Sequence, residues 1–283
     1  MKKFLALTIL LLAALGVLAG CSTPERDEAL VGTWSWTGNL RWEYVFEADG
    51  NGTRGDEGTE TVASFTWSTD DNVLTINPGR NYHNEAWLYS FNDGVLTLTR
   101  RGDATESYTY IQIAHDQSLV GEWALEMYIG VVNTFNSDGT GTIDRETFMW
   151  ATAGNYLVVD SGRMMINEHF TFSVSGRELT LTDRDNPSDV LEFLLLNDDP
   201  VLVGTWAWEG DDSYYFVFNA DGTGIQNWGT PESFSWRVAG YDRVILDFGD
   251  MFDNHWHFEI NGDIMTIDSL QLADFRFYYI RVN

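Results

Sequence analysis

The side chains with the most chemical potential crowd into one stretch, Asp247-Phe-Gly-Asp-Met-Phe-Asp-Asn-His-Trp-His257, with three aspartates and two of the five histidines. His255 and His257 stand two apart, so a strand would turn both imidazoles to one side, as metal ligands or proton carriers require. A zinc site needs further ligands, and the chain has neither a His-Glu-x-x-His helix nor a cysteine pair to supply them. Three Asp-Gly-x-Gly segments, beginning at Asp49, Asp138 and Asp221, open as calcium loops do. They lack the alternating oxygen ligands and the closing glutamate of an EF-hand, and a hairpin with glycines at positive φ explains their spacing. Asp183-Arg-Asp-Asn-Pro-Ser-Asp189 is a denser oxygen cluster, but its proline marks it as a turn between strands. No Ser/His/Asp order and no paired acid/base set recurs along the chain. The expectation is a protein that is not an enzyme and carries no cofactor; a metal-dependent enzyme built on His255 and His257 is the remotest alternative.

The elements that must position these residues come in triplicate. Leu30-Val-Gly-Thr-Trp-Ser-Trp36 returns as Leu119-Val-Gly-Glu-Trp-Ala-Leu125 and Leu202-Val-Gly-Thr-Trp-Ala-Trp208, at steps of 89 and 83 residues. Phe46-Glu-Ala-Asp-Gly-Asn-Gly52 recurs at Phe135 and Phe218, Phe65-Thr-Trp67 at Phe148 and Phe234, and Leu96-Thr-Leu98 at Leu179 and Met265. Four blocks in one order define three copies, each too long for a solenoid repeat and suited to a small domain. The first copy is longer between Gly52 and Phe65, the third around Asp247 to His255, and such insertions are where function can differ.

Each copy reads as antiparallel sheet. Trp42-Glu-Tyr-Val-Phe46, Ser64-Phe-Thr-Trp-Ser68, Trp87-Leu-Tyr-Ser-Phe91 and Ser107-Tyr-Thr-Tyr-Ile-Gln-Ile113 alternate in polarity and are separated by Asp-Gly and Asn-Asp-Gly turns. About eight strands fit one copy, and a helical period of about 3.6 is found nowhere after the first segment. Closing eight strands into an up-and-down barrel removes the apolar edges that an open sheet would expose.

At the start of the chain, Lys2 and Lys3 precede an apolar run from Phe4 to Val17, the pattern of a secretory signal too short to span a membrane stably. Cys21 is the only cysteine, so no intrachain disulfide can form. Net charge is −27, and −29 once both lysines leave with the signal. Such a surface repels phosphate, which excludes nucleic acid as a partner and marks a solubilised, extracytoplasmic face.

Two resemblances follow from these motifs. Leu18-Ala-Gly-Cys21 resembles the lipobox of bacterial lipoproteins, which implies cleavage before Cys21, diacylglycerol and acyl (palmitate) chains on that residue, and anchoring in the cell membrane or outer membrane, facing the extracytoplasmic side. The tandem Val-Gly-Thr-Trp, Phe-x-x-Asp-Gly-x-Gly, Phe-x-Trp and Leu-Thr-Leu pattern is similar to the small lipocalin-like domains of bacterial lipoproteins, over residues from about 28 to 283. The resemblance implies that Gly32 and Trp34, Gly121 and Trp123, and Gly204 and Trp206 close one end of each barrel. Full lipocalins pair that tryptophan with a late arginine, whereas Arg100, Arg184 and Arg276 do not fall at one common place.

The expected fold is therefore all-β: three tandem small antiparallel up-and-down barrels of about eight short strands each, after a cleaved signal peptide. The divisions are signal peptide 1–20, tether 21–27 and barrels at 28–114, 119–197 and 201–283. Linkers of about four residues, His115 to Ser118 and Asn197 to Pro200, predict a stiff, rod-like array. Eight short strands offer roughly twenty interior positions. The first copy alone has thirteen aromatic residues between Trp34 and Tyr110, so a packed core is expected, with any site shallow and at the open end. The leading function is binding to an envelope protein or glycan through exposed tryptophans such as Trp42, Trp87, Trp228 and Trp256; the alternative is a carrier of a small apolar ligand.

Overall fold

The structure, a computed structural model, describes residues 25–56, 62–143, 146–162, 167–249, 254–269 and 276–282. The signal segment, Cys21 and part of the Asp247 to His257 stretch lie outside the described residues. Strands β1 (Gly32–Trp36), β2 (Asn39–Phe46), β3 (Asn51–Asp56), β4 (Ala63–Asp70), β5 (Val73–Asn77), β6 (Glu85–Asn92), β7 (Val95–Arg100) and β8 (Ser107–Ile111) form a closed antiparallel barrel. The next set is β9 (Gly121–Leu125), β10 (Tyr128–Phe135), β11 (Thr140–Ile143), β12 (Glu146–Ala153), β13 (Tyr156–Asp160), β14 (Asn167–Ser175), β15 (Glu178–Asp183) and β16 (Val190–Asn197). The last is β17 (Gly204–Trp208), β18 (Asp211–Phe218), β19 (Thr223–Asn227), β20 (Pro231–Ala239), β21 (Arg243–Asp247), β22 (Asn254–Asn261), β23 (Ile264–Ser269) and β24 (Arg276–Val282). Pairing of β9 with β16 closes the second ring and pairing of β17 with β24 the third, while a β16–β20 ladder joins the two into one continuous sheet.

The repeated motifs are two devices that shape one end of each ring. In the first, a tight turn places a fully buried leucine, Leu30, Leu119 or Leu202, just ahead of the first strand. The indole N–H of Trp34, Trp123 or Trp206 donates back to the carbonyl of that leucine at 2.8, 2.7 and 2.8 Å. The intervening glycines, Gly32, Gly121 and Gly204, have φ of +135°, +146° and +137°, a backbone that side chains disfavour. In the second device the backbone N–H of Trp67, Trp150 or Trp236 donates to the first glycine of the Asp-Gly-x-Gly turn. Its indole N–H bridges two more carbonyls of the same turn, as Trp67 does to Glu47 and Asn51. Opposite it, the ring of Phe65, Phe148 or Phe234 fills the space where a side chain at Gly52, Gly141 or Gly224 would stand. The Asp-Gly-x-Gly aspartates cap their own turns, Asp49 accepting from the Asn51 amide, Asp138 from Thr140 and Asp221 from Thr223.

Alternation then builds three cores, centred on Phe46 and Trp67, on Phe135 and Trp150, and on Phe218 and Trp236. The described residues of the expected tether and linkers bond to the barrels that follow them. Glu25 and Asp27 bond to Thr69, Ala114 and Asp116 bond to Thr152, and Asn197 continues β16 into its pairing with Val238. Their backbone groups find partners on the fourth strand of the following barrel, which leaves no free spacer between the rings.

The fit around Gly52 yields a test. A methyl group there would lie 2.5 Å from the Phe65 ring and 2.6 Å from the Val45 carbonyl. Gly52→Ala is expected to lower the stability by about 1–3 kcal/mol, seen as a reduced urea midpoint with unchanged slope. Gly130→Ala, with open space around it, should leave the midpoint where it is.

Candidate functional site

The motif tryptophans occupy one end of each barrel, so a site must be sought at the other. In the first barrel the strand ends there carry Trp36 on β1, Trp42 and Tyr44 on β2, Arg54 on β3, Glu85 and Trp87 on β6, Arg100 on β7, and Tyr108 and Tyr110 on β8. With Glu106 they line a cavity of about 380 Å³. All of these strand residues point inward by the alternation that buries Trp34, Phe46, Leu98 and Tyr89 further down. Tyr44 and Tyr110, ring centroids 5.5 Å apart, make the floor, and Trp42 meets Tyr44 edge-on at 4.9 Å. The opposite wall is Trp87 against Tyr108 at 6.0 Å, with Tyr108 in turn edge-on to Trp36 at 5.9 Å.

Within this aromatic ring the charges are internally balanced. Arg54 binds Glu85 through two parallel hydrogen bonds of 2.9 and 2.7 Å, and its remaining reach goes to the Tyr44 hydroxyl at 3.1 Å. Trp87 donates its indole N–H to the same carboxylate at 3.2 Å. Arg100 lies over the Trp87 ring, 5.1 Å from its centroid, and approaches Glu106 at 3.8 Å. Burial pushes the Glu85 carboxyl up, but the Arg54 hydrogen bonds and charge outweigh it and hold the group below its ordinary range. Burial also raises the Tyr44 and Tyr110 hydroxyls, which therefore stay neutral and able to donate. The site can grip a flat face between aromatic rings and offer hydroxyl, guanidinium and carboxylate groups to a polar edge. The Glu85 carboxylate is already committed to Arg54 and Trp87.

The structure sorts the residues that the sequence singled out. Trp42 and Trp87 come together in this cavity. Trp228 and Trp256 come together at the corresponding end of the third barrel, both against Phe277, at 5.9 and 6.3 Å. Only Trp228 is exposed; Trp87 is fully buried and Trp42 and Trp256 half-buried. Exposure thus holds for Trp228 and fails for Trp87, which its inward strand position places inside the barrel mouth, with Trp42 and Trp256 between. His255 and His257 do share a side, but it is the outside: their neighbours Trp256 and Phe258 pack on the third core. His257 lies 3.0 Å from Asp242 and 3.7 Å from Asp268, and Asp268 is also held by Arg276. Asp183 spends its carboxylate on the amides of Asp185 and Asn186, as a turn requires.

Sequence reasoning missed two features. The arginine expected over the motif tryptophan is present in the third barrel as Arg281, 4.1 Å from the Trp206 ring and bonded to the Val203 and Val201 carbonyls. Its counterparts face Gly32 and Gly121 as Gln112 and Leu195, so no recurring arginine marks the position. The Arg54–Glu85 pair was the other, since a separation of 31 positions hides that β3 and β6 face each other across the ring.

A family model for a lipocalin-like domain matches residues 119–200, the second barrel. No curated protein matches the chain. The lipocalin-like barrel is typically a binding fold.

The ion pair makes the site pH-sensitive in a defined direction. Because the folded state holds Glu85 below its ordinary pKa, its contribution to stability is complete above the carboxylate range and lost as pH falls through the lowered value. Glu85→Gln should therefore be less stable than the parent at neutral pH, with the gap closing on acidification from about pH 6 to about pH 3, measured by urea unfolding at each pH.

Proposed function

We propose that the chain is a lipid-anchored, non-enzymatic binding protein of the bacterial envelope, and that the first barrel's mouth takes one neutral sugar residue of a glycan. The observation that supports this is the balanced aromatic cavity. Trp36, Trp42 and Tyr108 offer faces on which the C–H side of a sugar ring stacks, while Arg54, Glu85 and the tyrosine hydroxyls satisfy its hydroxyl groups. With each guanidinium already next to a carboxylate, the cavity has no surplus charge to reward an ionic ligand, and the acidic surface disfavours anions further. About 380 Å³ matches one small ring and not a long acyl chain. A small apolar ligand is the second reading. The second barrel favours it, since Leu125, Phe170, Leu191 and Phe193, all in or against its core, hold the places of Trp36, Trp87, Tyr108 and Tyr110.

The anchor in this proposal is Cys21, with the polar segment after it carrying the barrels clear of the lipid surface. Labelled palmitate is expected to enter the protein in growing bacteria and to be lost with Cys21→Ser. For the ligand, titration of soluble cell-wall and capsular oligosaccharides followed by tryptophan fluorescence should give saturable binding to the parent. Trp42→Ala should weaken it at least tenfold, equivalent to about 1.4 kcal/mol. Binding that is indifferent to Trp42 would remove the first barrel as the site, and an apolar molecule found by native mass spectrometry would favour the second reading.

A further inference from the structure

The two junctions between barrels follow one pattern, and it leaves a third face of the same kind open. The last strands align through Tyr110, Phe193 and Tyr279, which pair with Leu96, Leu179 and Met265 in turn. The next residue outward is then Ile111, Leu194 or Ile280. Ile111 is fully buried in a cluster with Ala151, Ala153, Tyr156 and Val158, the outer face of β12 and β13. Leu194 and Leu196 are covered in the same way by Ala239 and Ile245 on β20 and β21, with ion pairs Glu122–Arg237 and Glu126–Arg243 at the margin. Ile280 and Val282 hold these positions in the third barrel and stand 43% and 52% exposed. Tyr278 on the same strand and Ile264, the cross-strand partner of Ile280, extend the strip at 43% and 50%. Their inward neighbour Tyr279 is buried, so these four side chains form one outward apolar stripe.

We propose that this stripe is a homodimer contact, in which two copies pack their third barrels face to face about a two-fold axis. The two equivalent faces are each covered by the outer surface of a barrel, which says what kind of surface fits here. A head-to-tail arrangement would instead use the first barrel's receiving face, where Ser68, Asp70, Val73 and Thr75 stand at the positions of Ala151, Ala153, Tyr156 and Val158. Covering Ser68, Asp70 and Thr75 with Ile280 and Val282 would bury polar groups unpaired, and the contact would not close. The two-fold arrangement sets Ile280 and Val282 of one copy against Ile264 and Tyr278 of the other, apolar on apolar. Each copy carries a net charge of −27, so the contact works against repulsion and strengthens with added salt.

Sedimentation equilibrium of the full chain in detergent is expected to show a reversible monomer–dimer equilibrium that shifts toward dimer as salt is raised. Ile280→Glu should weaken it at least tenfold while leaving the urea midpoint close to that of the parent, since the side chain is outside the core. In a Cys21→Ser background, mixed Ile280→Cys and Ile264→Cys chains should form an intermolecular disulfide on mild oxidation, and mixed Ile280→Cys and Thr75→Cys chains should not. A chain that stays monomeric at all accessible concentrations overturns the proposal. So does a dimer that survives Ile280→Glu, or cross-linking of Ile280→Cys to Thr75→Cys in place of Ile264→Cys.

Discussion

A buried indole N–H has one requirement, an acceptor within reach, and the organisation of each barrel follows from how this chain meets it. Trp34, Trp123 and Trp206 are held by the carbonyl of the leucine four residues earlier, and that bond exists only because the backbone between them turns tightly and then passes through a glycine at positive φ. Left unpaired, each indole would cost about 1–3 kcal/mol. Satisfying it fixes where the first strand begins and how the chain crosses the end of the ring. The same turn buries the leucine side chain under the core. One end of every barrel is thereby committed to structure, and chemistry is left to the other.

The second tryptophan extends this logic from a strand start to a hairpin. By bridging two carbonyls of the Asp-Gly-x-Gly turn, Trp67 and its counterparts fix the register of the second, third and fourth strands together. With register set at that end, variation at the far end is tolerated, and the three mouths have diverged. The first is aromatic and charged, the second keeps Phe170 and Phe193 beside Leu125 and Leu191, and the third is packed ring against ring through Phe216, Trp228 and Phe277.

What could be read from the sequence divides along the same line. The repeated Leu-Val-Gly-x-Trp and Phe-x-Trp blocks carried strand number, order and closure, because local periodicity and turn residues determine those. Gathering Trp42 with Trp87, and Trp228 with Trp256, was legible only in part: their types suggested contact with a ligand, but facing inward depends on the parity of each strand. Arg54 and Glu85 were invisible, since a pair across a ring leaves no spacing signature. Arg281 escaped for a different reason, a single arginine surviving in one copy while Gln112 and Leu195 fill its place in the others. The short linkers signalled close coupling of neighbouring barrels, but not which strand their amides would bond, because short polar segments look alike whether or not their amides find partners.

Strand β16 belongs to two barrels at once: Phe193 to Leu195 pair with β9, and Leu196 and Asn197 with β20. There is no slack between these ladders. A pull along the chain would load both sets of hydrogen bonds in shear before any hinge could open. The second and third rings therefore share a mechanical fate, and tension arriving at one is passed on to the next with little loss.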